Sequence, residues 1–422
     1  MEHLIDRITE LKLAVIVILS LTITAIYSFF TKEYLASDSL SFLLEMISSN
    51  HMVDFYIDRQ FANYLTQIFP FLLLKSEFLG FQGLINAWGL SFVFIPVSIL
   101  LLSLKNVSNS YRNLNLFLIL VITFYMLMSS RWITESIVCL VLTIYIYTSS
   151  LKRNQTIIDD VIVCIFSLLL IKSYSTTAFT NVFLIYSLIE KGKEINSLSY
   201  ISIFFLTLGV LVGWESILYP LFPASNSDTF VQVKFFLFDS LKQFHLILIS
   251  LIFILVGLVK ESSKTVSLAL IPFTLQFLPS FWLTFSELVI YRYFLSLPLV
   301  IVLIVLTKLK HLRLNDKKLS LILVFGMISV VPSVLWRTNV WSKTISKFET
   351  FYTNGSGDVN MYNSEFQKRF SNGYLNWESI FFQLLLKKNQ NLNLYYKGPL
   401  YENWVQEDYN RREKSIINKG WR

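Results

Sequence analysis

The chain has 422 residues and a formal net charge of +8; 54% of it is apolar, 16% aromatic and only 15% charged. Soluble globular proteins carry about 25% charged residues, so this composition, with a mean hydropathy of +0.56, argues against a soluble enzyme and against a disordered chain. It reads as a polytopic membrane protein. Cys139 and Cys164 lie in apolar runs, and His3, His51, His245 and His311 share no ligand spacing, so no disulfide framework or metal centre is expected. The 13 glycines form neither GxGxxG nor a Walker loop, which argues against a nucleotide-driven pump. The basic residues form no stripe with interleaved aromatics, so no nucleic-acid partner is expected.

In chain order, the first apolar run covers 11–30. It is too long for a signal-peptide core and lacks a small-residue cleavage site, and reads as a retained anchor. Further runs approaching the ~20 residues that cross a hydrocarbon core lie at 79–104, 114–129, 134–150, 157–171, 176–190, 198–218, 243–259, 265–285, 288–307 and 319–336. The all-α expectation is thus a bundle of about eleven transmembrane helices over 1–336, followed by a small outer domain over 337–422. The 61–74 stretch, FANYLTQIFPFLLL, is short and contains Pro70; it reads as an interfacial or re-entrant piece.

Positive charge then orients the bundle. Lys105 and Arg112, Lys152 and Arg153, Lys191 and Lys193, Lys260 and Lys264, and the cluster from Lys308 to Lys318 fall at alternate ends in short loops. That side is cytoplasmic and includes the N-terminus. Trp132, Trp214, Trp282 and Trp336 fall at the opposite, outer ends, where amphipathic rings favour the headgroup level. The loop 31–78 and the tail 337–422 are therefore outside. In the tail, Asn354-Gly355-Ser356-Gly357 marks a turn, and WESIFFQLLL from Trp377 is an amphipathic helix candidate.

Ionisable residues near spans are costly and face cavities or partners. Here they gather at the outer boundary. Asp38 precedes an apolar-periodic run and is either a helix N-cap or a carboxylate held at the membrane surface. Asp54 and Asp58 share a helical face that reads as solvated, with Arg59 beside them as a salt-bridge partner or a phosphate ligand. Arg131 and Glu135 form a local ion pair or part of a site; Lys172 snorkels to headgroups or binds substrate. Glu287 and Arg292 enter a later span, with structure and function evenly balanced, whereas Asp159 and Asp160 start a cytoplasmic-side helix.

A long first span, an outer loop with an early aspartate and amphipathic helices, about eleven spans and an outer tail together resemble the C-type (GT-C) integral membrane glycosyltransferases. The resemblance implies a polyprenyl-phosphate sugar donor and a glycan, lipid or protein acceptor at the outer face of a bacterial inner membrane. It implies that Asp38, in ASDS, is the catalytic base. The substrate-binding candidates are Arg59, Arg131, Lys172 and Arg292 for the lipid phosphate, with Asp54, Asp58, Glu135 and Glu287 beside them. Asp38 is followed by serine, so the paired acidic motif of metal-dependent members is absent and no metal is required. The rivals are an O-antigen-type polysaccharide polymerase and a non-enzymatic lipid-glycan flippase. A transporter would favour an internal repeat and charges at the midplane, and neither is evident.

Overall fold

The computed structural model describes residues 15, 18–19, 22–23, 25–35, 38–53, 60–106, 135–152, 155–173, 177–190, 196–218, 249, 252–253, 256–257, 335, 338–360, 382–386, 391–395 and 402–421. These residues are mostly helical. Helix α1 covers Asp38–Ser49, α2 Gln60–Lys75, α3 Phe81–Asn106, α4 Glu135–Ser150, α5 Ile157–Leu169, α6 Thr177–Glu190, α7 Ser197–Leu218 and α8 Glu402–Asn418. Residues 25–30 and 338–354 are also helical. Helices α3 to α7 occupy five of the segments expected to span. The segments 114–129, 265–285 and 288–307 lie outside the described residues, while 243–259 and 319–336 are described only at isolated positions. Among the described residues, one helix, Phe81–Ser103, is long and apolar enough to cross a membrane.

The helices start and stop for local reasons. Helix α5 opens with a capping box: the Asp159 amide donates to the Thr156 hydroxyl, and the Thr156 amide donates to the Asp159 carboxylate. This pairing satisfies two donors that a helix start leaves orphaned, and Lys152 pairs with the same carboxylate at 2.7 Å. The expectation that Asp159 and Asp160 begin a helix is met. Helix α1 ends where Asn50 turns left-handed, at φ 57°, and its amide reaches back to the Met46 carbonyl.

On four of the helices polar side chains lie on the buried side and large apolar ones on the exposed side. On α5 the buried residues are Asp159, Asp160, Val163 and Ser167, while Ile157 and Ile158 are 74% and 66% exposed. On α2, Asn63, Thr66 and Gln67 face inward while Ile68, Phe69 and Leu72 face out. Gln67 spends its amide on Val53, accepting from the backbone N–H at 2.7 Å and donating to the carbonyl at 3.2 Å. Helices α6 and α7 repeat the pattern, hiding Thr180, Asn181 and Ser202 and exposing Val182, Ile189, Phe204 and Leu211. A helix in water does the reverse.

The tail adds the one departure from the all-α expectation among the described residues. After the turn at Gly355–Gly357, β1 (Gly357–Asn360) pairs in parallel with β2 (Leu392–Tyr395), Gly357 opposite Leu392. Of the WESIFFQLLL stretch, only the end is described: a short 3-10 turn at Gln383–Leu385 in which Phe382 and Leu384 are buried. The tail shares one hydrophobic core with the first outer loop and α3: Trp341, Phe348, Phe382, Leu394 and Ile416 join Tyr34, Leu40, Leu43, Met46, Trp88 and Phe92. The Trp341 indole donates to the Thr31 carbonyl at 3.1 Å, and Trp421 stacks on Phe81 with ring centroids 5.7 Å apart.

Helix α7 packs on α5 and α6 through Gly209. A Cβ there would lie 2.9 Å from the Leu170 carbonyl oxygen and 2.5 Å from the Asn181 amide nitrogen. Alanine at this position gains about 1 kcal/mol of helix propensity but forces backbone apart, an overpacking cost of about 1–3 kcal/mol. Gly209→Ala is therefore expected to lower the thermal midpoint in detergent. Gly80→Ala, where nothing lies within 4 Å, is the control: it caps α3 less well than glycine but overpacks nothing, and should lower the midpoint by less.

Candidate functional site at one end of the bundle

Three contacts bring the described candidates to a common level. The Asn106 amide donates to the Ser149 hydroxyl at 2.8 Å, so α3 and α4 run parallel with their ends together. Counting back equally at about 1.5 Å per residue, Glu135, the first residue of α4, lies level with Phe92 of α3. One turn further along α3, the Trp88 indole donates to the Ser39 hydroxyl at 2.9 Å. The start of α1, at Asp38, is thereby fixed close to that level. Helix α5 returns beside α4 after a short turn and ends near Lys172, and the Lys172 carbonyl accepts from the Phe61 amide at 3.1 Å. That bond joins the end of α5 to the start of α2, two residues beyond Arg59.

Asp38, Glu135, Lys172 and the first turn of α2 thus stand at one end of the described bundle. The other end carries Lys105 and Lys152, two of the residues expected on the cytoplasmic side. Asp38 opens α1, where either an N-terminal or a catalytic role would put it. Lys172 is half-buried. Asp54, Asp58, Arg59, Arg131, Glu287 and Arg292 lie outside the described residues, as do Trp132, Trp282 and Trp336. The residue types that the backbone brings to this end, two acidic and one basic, are those that remove a proton and hold an anion.

A second charged group, which the sequence reading passed over, supports α1 from behind. Arg412 of α8 is 1% exposed. Its Nη1 donates to the Ser41 carbonyl at 3.2 Å and to the Ser41 hydroxyl at 3.1 Å. Its Nη2 lies 2.7 Å from Asp408 and 3.3 Å from Glu45. Arg411, exposed on the rim, pairs with the same two carboxylates. Two guanidiniums thus meet two carboxylates in balance. Burial pulls the Arg412 guanidinium below its ordinary value, opposed by Asp408 and Glu45. Hydrogen bonding to Glu45 pushes Arg411 the other way. A signal was present in the sequence: past its first residue, α1 has one ionisable side chain, Glu45, in an otherwise apolar and serine-rich helix. Its partner was not readable, because α8 is densely charged throughout.

The two arginines should separate on mutation. Removing one partner of a buried pair leaves an uncompensated charge, so Arg412→Met is expected to cost about 3 kcal/mol. Arg411→Ala, at an exposed pair, should cost at most about 1 kcal/mol. Denaturant midpoints of the purified variants measure both, and equal losses would contradict the division into buried and exposed pairs. No family model, curated protein or solved structure matches the chain.

Proposed function

We propose that the protein is a multi-pass membrane glycosyltransferase of GT-C-like architecture, with about eleven spans, the N-terminus inside and the reactive end at the outer face of a bacterial inner membrane. The inverted polarity of α2, α5, α6 and α7 supports immersion in lipid, since their apolar faces have no aqueous rationale. The observation that carries the reading is the gathering of Asp38, Glu135, Lys172 and the start of α2 at the end opposite Lys105 and Lys152.

In this reading the sugar moves from a polyprenyl phosphate to an acceptor hydroxyl on a glycan, lipid or protein. Asp38 takes the hydroxyl proton as the acceptor oxygen attacks the anomeric carbon. The bond from that carbon to the phosphate oxygen breaks, and the polyprenyl phosphate leaves with the electron pair. One displacement inverts the anomeric centre. Lys172, with Arg59, Arg131 and Arg292, stabilises the charge that develops on the leaving phosphate. Asp54, Asp58, Glu135 and Glu287 position the acceptor and those cations. The step needs no metal, because proton removal and charge stabilisation are both assigned to side chains.

Asp38→Asn tests the base. Asparagine caps a helix about as well as aspartate, so the variant should express and fold normally. Its transfer of labelled sugar from polyprenyl phosphate should fall on the order of 10²-fold. Near-normal transfer by monodisperse protein ends the assignment and moves it to Asp54 or Asp58. Topology has its own test. A cysteine in the 308–318 loop should be shielded from an impermeant thiol reagent in intact cells, whereas a cysteine at Ser356 should react. Labelling of both from outside overturns the eleven-span arrangement.

A further inference from the structure

We infer that Arg412 is a positioning residue for Asp38, acting from α8 through the first turn of α1; the catalytic half of this inference rests on Asp38 being the base. Helix α1 has 12 residues, a length at which an isolated helix is marginal, so its orientation comes from packing. Two long-range contacts hold its first turn. From α3, Trp88 donates to Ser39, one residue after Asp38. From α8, Arg412 donates twice to Ser41, three residues after Asp38. Ser39 and Ser41 are both buried, as are Trp88 and Arg412.

Apolar packing of Leu40, Leu43, Leu44, Met46 and Ile47 holds the body of α1. The directional bonds to Ser39 and Ser41 fix the register of its first turn from two sides. Arg412 is itself held by Asp408 one turn earlier on α8 and by Glu45 one turn later on α1, so its guanidinium is aimed before it meets Ser41. Planar, multiple donation of this kind requires arginine; an ammonium offers a point charge without the fork. A base has to sit within about 2.6–3.2 Å of the proton it takes, and a misplacement of about 1 Å costs on the order of 10²-fold. Helix α8 thus sets the placement of the first turn of α1, and with it the backbone at Asp38, without touching substrate.

The test uses the full-length protein in detergent or nanodiscs. Arg412→Met combined with Asp408→Asn removes both buried charges, avoiding an unpaired one, and leaves Glu45 with Arg411. Amide exchange over 42–49 is expected to accelerate about tenfold or more, with 90–103 of α3 unchanged. The kcat for sugar transfer should fall 10- to 100-fold at unchanged donor KM. Arg412→Lys, the milder variant, should fall between this double variant and the wild type. Unchanged exchange in α1 overturns the clamp. Accelerated exchange with wild-type kcat, in a protein whose Asp38→Asn variant is inactive, overturns the positioning role. If Asp38→Asn transfers sugar normally, the base assignment fails and the positioning role with it, and the exchange data still decide whether α8 holds α1.

Discussion

A helix whose outer face is apolar has only one place for its polar side chains, the interior, and there each polar atom needs a partner. Most of the described architecture follows from that constraint. Gln67 closes on the Val53 backbone, Asn106 on Ser149, Asn196 on Asp160, and Ser150 meets Ser187 at 2.6 Å. Each contact fixes how two segments sit against one another. Apolar packing supplies the attraction, but these directional bonds choose the register. The common end of α2, α4 and α5 that holds Asp38, Glu135 and Lys172 follows from such bonds.

Full pairing fails at several buried atoms of the described residues, the Ser91 hydroxyl of α3 among them, and two of these residues lie on α5 and α6. Asn181 is buried with neither amide atom hydrogen-bonded among the described residues, and Ser167 is buried and likewise unbonded. Both lie on helices that close tightly, with Gly209 directly against Asn181. Close approach of backbone has taken precedence there over polar satisfaction. The ion cluster behind α1 represents the opposite choice, in which four charges and a serine are brought together and the helices are spaced to fit them.

Much of this fold was legible in the sequence because apolar runs of helical length report burial or lipid contact without needing a partner to be known. Helices α3 to α7 fall on such runs, and the Thr156–Asp159 box is a local signal four residues long. What was not legible depends on distant pairing. Glu45 and Arg412 are separated by 367 residues, and nothing local distinguishes Arg412 from the other charges of α8. The strands GDVN and LNLY are four residues each, too short for a periodic pattern, and their pairing comes from the tail's packing. For the candidate site the sequence indicated the outer boundary and the opening of α1 at Asp38. It carried no information on Ser39 and Ser41, whose importance lies wholly in what Trp88 and Arg412 do to them.

The contact between Arg412 and Ser41 joins residues 371 apart in the chain. At about 5–20 residues per second of synthesis, roughly 20–75 s separate the emergence of the two. Throughout that interval α1 exists without its partner, with Glu45 unneutralised and Leu40, Leu43 and Met46 lacking the tail that later covers them. A nascent chain in this condition offers a sticky, acidic helix to whatever stands near it, and chaperones or neighbouring loops have about 20 s or more to occupy it. Arrival of α8 ends that exposure in a single docking event. The first turn of α1 is therefore fixed only once α8 has been made, and a chain that stops before α8 leaves Ser41 and Glu45 without Arg412.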